Sequence, residues 1–229
     1  MNEERTPAEV QTGYVQAMGK ELGDLFYATS SELTWIHWRW KQYRTLFGEK
    51  QSRIDLLNEA APLFFRIVHN VLFEDTLLAI ARLVGPPRSR NKTNLTVERF
   101  PPLLAEVNLR HEVSSLIQKA KTSAEFAVDW RNRRLAHRDL DLSLKRNQLA
   151  LAPATRAQVE ESLSALRAVL NRIETKVCNA ATVYDSPTHG DAETLLYVIR
   201  DGLRWDRDRC ERLKRGELQG EDMKPPEAL

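Results

Sequence analysis

The stretch Asp129-Trp130-Arg131-Asn132-Arg133-Arg134-Leu135-Ala136-His137-Arg138-Asp139 closes a run in which Val113, Leu116, Ile117, Ala120, Ala124, Ala127 and Trp130 recur at three- and four-residue spacing. That period is one face of an α-helix, and the helix begins near Arg110. The same period governs nearly all of the 229 residues, while Gly and Pro are few and clustered, so the fold class is all-α. No segment alternates in the manner of a strand.

Working outward, Pro7 suits the first turn of a helix over about residues 7–27, and a second over about 31–47 ends against Gly48; the two also read as one long kinked helix. A third, over about 52–84, presents Leu56, Ala60, Leu63, Ile67, Val71 and Leu78, flanked by Leu57, Phe64, Val68 and Leu72. This stripe is wide enough to predict a central core helix buried on most sides. Gly85-Pro86-Pro87 stops it, and the basic segment 88–93 reads as an exposed loop. Pro101-Pro102 divides a short helix over about 96–107 into two pieces. Downstream of the motif, Pro153 opens a helix running to about Val183, and Asp191 is placed to cap a last helix over about 192–214. The organisation expected is a helical domain over 1–185, an additional C-terminal helix packed on the bundle over 186–215, and a tail over 216–229 with too few apolar residues to order itself.

Several function classes are set aside by composition. The formal net charge is only +2 with 29% charged residues, so a nucleic-acid site must be local. Glu3 and Glu4 stand where a secretory signal has basic and apolar residues, and residues 60–84 carry Arg66, His69, Glu74, Asp75 and Arg82, too many for a membrane span. A cytoplasmic chain without a membrane partner is expected, and the acceptor tripeptides at Asn91 and Asn94 then read as coincidences. Cys178 and Cys210 stand alone, and His69, His111 and His189 show no ligand spacing, so no metal and no cofactor are expected.

The motif places four arginines and one histidine within residues 131–138. Arg131-Asn132, four residues, then His137 resembles the signature of the HEPN superfamily of small helical bundles, which occur in toxin-antitoxin, phage-defence and RNA-processing systems. The string from Trp130 to Asp139 is similar to the AbiU-like abortive-infection branch. A weaker likeness extends to Trp38-Arg39-Trp40-Lys41-Gln42-Tyr43, to Ala79-Ile80-Ala81-Arg82-Leu83 and to Asn94-Leu95-Thr96, over roughly residues 20–185. The resemblance implies a HEPN-type helical bundle that cleaves RNA by attack of the neighbouring 2′-hydroxyl, without a metal, using Arg131, Asn132 and His137. The residue types suit that chemistry. Imidazole exchanges a proton near neutral pH, a fixed guanidinium holds a phosphate through two bonds, and an amide can orient either. Arg133, Arg134 and Arg138 are the candidate RNA-binding residues beside them.

On an ideal helix six residues turn by about 600°, leaving Arg131 and His137 about 120° apart, whereas Arg133 and Arg134 share the face of His137. The arrangement implied by the family is a two-fold homodimer in which Arg131 of one copy approaches His137 of the other. Some HEPN antitoxin partners carry a modifiable tyrosine two residues after the histidine; Asp139 stands there instead, so no nucleotidyltransferase partner is implied and any cognate antitoxin is unknown.

Each feature also has a plainer explanation. The arginines can form a solvated helix end paired with Asp129, Asp139 and Asp141. A copy of the same fold without catalysis would be an RNA-binding or antitoxin-like interaction module. Ile36, Trp40, Tyr43 and Phe47 form one helical stripe and Trp35, Trp38 and Leu46 another, which favours a core or dimer interface over a platform for stacking bases. Residues 200–215 hold seven bases and four acids and read as a salt-bridged surface helix, while Arg88, Arg90 and Lys92 are the better candidates for a loop contact with RNA, a solvated loop being their plainer description. With no Gly-rich phosphate cradle, a small-molecule pocket ranks last.

Overall fold

The computed structural model describes residues 5–135, 151–185, 191–217 and 219–223. Among these, helices dominate: α1 (Pro7–Met18), α2 (Lys20–Tyr43), α3 (Gln51–Ala60), α4 (Pro62–Leu83), α5 (Val107–Ser123), α6 (Glu125–Trp130), α7 (Arg156–Cys178) and α8 (Ala192–Arg215). The fold is all-α, and the one departure is a two-residue ladder between β1 (Arg88–Ser89) and β2 (Lys92–Thr93). That small hairpin replaces the loop expected there, with Arg90 taking the left-handed turn conformation at φ 52°. No helix among the described residues is long and apolar enough to cross a membrane.

The chain divides into two compact units, one of Met1–Lys41 and Val71–Ser186, the other of Gln42–Asn70 and Pro187–Leu229. In the first, α1 turns back on α2 at Gly19, whose φ of 80° suits glycine, rather than near the expected break at residues 28–30. Gly23 then permits the close approach: a Cβ there would lie 2.6 Å from the Cα of Val15. The core of this unit is built from Phe26, Leu33, Ile36, Leu77, Ile80 and Val113, all fully buried, with Val169, Leu170 and Ile173 from α7. The Phe26 ring lies 4.8 Å from that of Tyr14 and 6.3 Å from that of Phe100.

Polar groups tie these helices together. Arg39 pairs with Asp75, and Glu32 lies 3.7 Å from Arg82, so two ion pairs join α2 to α4. Pro101-Pro102 does divide its segment, giving two 3-10 turns over Val97–Arg99 and Pro101–Leu103. Thr155 caps α7 through a reciprocal bond with Gln158, two residues beyond the expected start at Pro153, and Asn179 ends it in the left-handed region.

His37 is held against the Tyr184 ring, 5.6 Å between centroids, and its buried Nε2 has no hydrogen-bond partner among the described residues. Burial lowers its pKa to about 4, with the nearby Arg167 guanidinium pushing the same way and Asp185 opposing. Between pH 6.5 and 4 the unfolded chain takes up a proton that the folded chain refuses, so stability is lost as pH falls through that window. The loss is about 3 kcal/mol. Denaturant titrations of His37→Gln beside the parent should show a shallower decline over that range; equal slopes would remove His37 as the cause.

In the second unit, Leu46, Leu57 and Phe65 pack with Ala192 and Leu196 of α8. The expected helix over 52–84 is two helices, because Pro62 has no N–H to donate and Ala61 leaves the helical region at φ −161°. Its stripe is also not uniformly buried: Leu63, Ile67 and Val71 are 70%, 53% and 58% exposed. Helix α4 is apolar on nearly all sides, and the core takes up only Phe65 on this turn and the residues around Leu77 and Ile80 further on. Asp191 caps α8 as expected, accepting a bond from the Glu193 N–H at 3.1 Å, and Gly216 ends it at φ 72°. Within the segment after Gly216, residues Gly220–Met223 form a 3-10 turn. Arg212 binds the buried Asp222 there at 2.6 Å and, with the Gln219 N–H, holds its carboxyl down to about 2.

The candidate site around Arg131

After the fully buried Ala124 breaks the helical path at φ −100°, ψ 5°, α6 turns Phe126 and Ala127 inward and brings Asp129 and Trp130 to the edge of the unit. Both clamp the same later residue. The Asp129 carboxylate accepts the Ala152 N–H at 3.0 Å, and the Trp130 indole N–H donates to the Ala152 carbonyl at 2.8 Å. Phe73 meets the Trp130 ring edge-on at 6.0 Å.

The next residues, Arg131–Leu135, form a π-helical turn. Over this stretch the 100° per residue of an ideal α-helix does not hold, and where the three arginines stand relative to His137 falls outside the described residues. His137 and Arg138 lie outside the described residues, as do Asp139 and Asp141.

The three described arginines have different neighbours. Arg133 reaches back to Asp129 at 3.4 Å. Arg134 forks onto Glu74 of α4 at 2.7 and 3.1 Å and stacks over the Trp130 ring at 5.2 Å. Arg131 binds a neutral group instead: its Nε and Nη2 donate to the Asn132 amide oxygen at 3.0 and 2.8 Å. Asn132 therefore steadies the guanidinium through the oxygen of its side chain.

Arg131 also borders a cleft of about 470 Å³ whose far walls are Glu32, Arg82 and the β1–β2 hairpin. Gly85 lies on its floor: a Cβ there would crowd the Ala81 carbonyl at 3.1 Å and would meet Arg131 Nη1 at an ordinary contact distance of 3.5 Å. The hairpin is fixed at its base: Asn94 donates to the Pro86 carbonyl at 2.9 Å and to the Ser89 hydroxyl at 2.8 Å. The buried Thr96 hydroxyl lies within 2.8 Å of the Leu83 and Gly85 carbonyls.

Residues 19–196 match the family model HEPN_AbiU2, described as AbiU2. The chain belongs to the AbiU2 family of HEPN domains. No curated protein and no solved structure matches it. The family match begins at the α1–α2 corner and ends within the first turns of α8, close to the span of roughly 20–185 over which the likeness was legible. It makes the chain an abortive-infection, AbiU-like HEPN domain.

In this AbiU2 chain the structure brings Arg131 and Asn132 together and turns Arg133 and Arg134 toward carboxylates. Sequence reasoning missed Gly85, Arg82, Glu32 and Asn94 as neighbours of Arg131. The available signal was Gly85 itself, which reads as a helix stop and also lines the cleft beside Arg131. The clamp on Ala152 left no sequence signal.

Proposed function

We propose that this AbiU2 chain is a metal-independent endoribonuclease of a defence or toxin type. The 2′-hydroxyl of one nucleotide attacks the adjacent phosphorus, the bond from phosphorus to the 5′-oxygen breaks, and the products are a 2′,3′-cyclic phosphate and a 5′-hydroxyl. The proton removed from the 2′-hydroxyl and the proton delivered to the leaving 5′-oxygen are the work assigned to His137. Arg131 holds the scissile phosphate and offsets the charge that builds on its oxygens, with Asn132 fixing the guanidinium. The observation that carries this reading is the neutral partner of Arg131: Arg133 and Arg134 are committed to Asp129 and Glu74, whereas Arg131 faces an open cleft. Among the motif arginines Arg131 therefore takes the phosphate-holding role, while Arg133, Arg134 and Arg138 extend the basic surface for RNA.

The working unit is a homodimer in which the histidine of one copy completes the site of the other, as the family resemblance implies, and the setting is the cytoplasm. The test is incubation of the purified protein with total RNA, beside His137→Ala, in the presence of a chelator and with mapping of the cut ends. New 5′-hydroxyl ends from the parent alone support the reading. Equal cleavage by a folded His137→Ala protein would overturn it.

A further inference from the structure

We propose that the cleft beside Arg131 seats one unpaired ribonucleotide of the RNA, with its phosphate on Arg131 and Arg82 and its sugar against the polar lip of the β1–β2 hairpin. This inference rests on the ribonuclease reading and gives the substrate a place.

Size, charge and chemistry agree. At about 470 Å³ the cleft falls within the range of roughly 300–1,000 Å³ that encloses a small organic ligand, which suits a single nucleotide. Among the described residues the bordering acid is Glu32, 3.7 Å from Arg82 and 3.8 Å from Arg39, so two guanidiniums share that negative charge and Arg131 meets no carboxylate there. Exposed Arg88, Arg90 and Lys92 on the hairpin raise the local positive potential and favour the approach of a phosphodiester chain.

The lip supplies what a sugar needs. Ser89 and Thr93 are exposed at the cleft, and a hydroxyl both donates and accepts, which matches a 2′-hydroxyl. Asn94 has committed its amide N–H groups to Pro86 and Ser89, and Leu95, 37% exposed, offers an apolar wall for a base or sugar face. Because Asn94 and Thr96 tie the hairpin to the end of α4, the lip stands in place before the RNA arrives. Binding then loses less ordering entropy than a mobile loop would.

The experiment uses the full chain with His137→Ala and a short single-stranded oligoribonucleotide carrying 4-thiouridine. After irradiation, cross-linked peptides are mapped, and affinity is read by fluorescence anisotropy. Cross-links within residues 85–95 are expected. Thr93→Trp, which fills the cleft from an exposed position, and Arg82→Gln should each weaken binding by about tenfold or more, a change of roughly 1.4 kcal/mol or more. Arg204→Gln on α8 should leave it unchanged. Thermal melts of every variant show whether the fold is intact, and Arg82→Gln keeps the test open should Thr93→Trp disturb the hairpin. Cross-links confined to other segments, or parental affinity in both cleft variants, would overturn the inference. If the parent protein cleaves RNA under that outcome, the ribonuclease reading stands without this site. Cross-links in the cleft without cleavage by the parent would leave the site standing and remove the ribonuclease.

Discussion

Arg131→Ala is expected to slow RNA cleavage by about 10²–10³-fold, the usual consequence of removing one group that stabilises charge in a transition state. His137→Ala should cost about 10²–10⁴-fold through the lost proton transfer. Arg131→Ala should not move the melting temperature much, because among the described residues Arg131 bonds to the exposed Asn132 beside it. Arg134→Ala should show the reverse pattern in part: it removes an ion pair to Glu74 and a cation seated over Trp130, with a modest loss of stability and a smaller loss of rate. If Arg131→Ala cleaved like the parent while Arg134→Ala did not, the phosphate-holding role would belong to Arg134. Mixing the two inactive proteins tests the dimer at the same time. In a two-fold assembly whose sites take Arg131 from one copy and His137 from the other, random pairing of Arg131→Ala with His137→Ala rebuilds about a quarter of the parental sites. A mixture as inactive as its components would place both residues in the same copy's site.

Leu77→Ala should destabilise the fold by about 2–5 kcal/mol, since a fully buried leucine leaves both lost burial and a cavity. Ile67→Ala, ten residues earlier on the same helix, should stay within about 0.5 kcal/mol, because half of its side chain already meets solvent. Denaturant melts of the two proteins separate a helix that changes face along its length from one buried throughout. Similar losses for both would return α4 to the role of a central core helix.

That contrast marks where the sequence was legible. Helical spacing and sparse Gly and Pro sufficed for the fold class, and the N-cap of Asp191 could be read because capping is decided within a few residues. The stripe on α4 misled, because apolar residues on every side carry no direction, and Pro62 was submerged in a longer period. Arg131 and Asn132 were legible as neighbours in sequence that became partners in space. The cleft was not, because Glu32 comes from α2 and Arg82, Gly85 and the hairpin from the stretch at the end of α4, and they border one cleft with Arg131 only through tertiary packing. The π-helical turn gave no warning either, since its five-residue bonds leave no mark in a short polar string.

Asp129 and Trp130 grip both backbone groups of Ala152, so positions 22 and 23 residues apart in sequence are pinned together. Such an anchor uncouples the length of the intervening segment from the stability of the helices around it. Closing a loop between fixed ends grows costlier only with the logarithm of its length, by about 0.6 kcal/mol for each doubling. A change in the number of residues between the two clamped positions therefore adds little to the cost of closure itself.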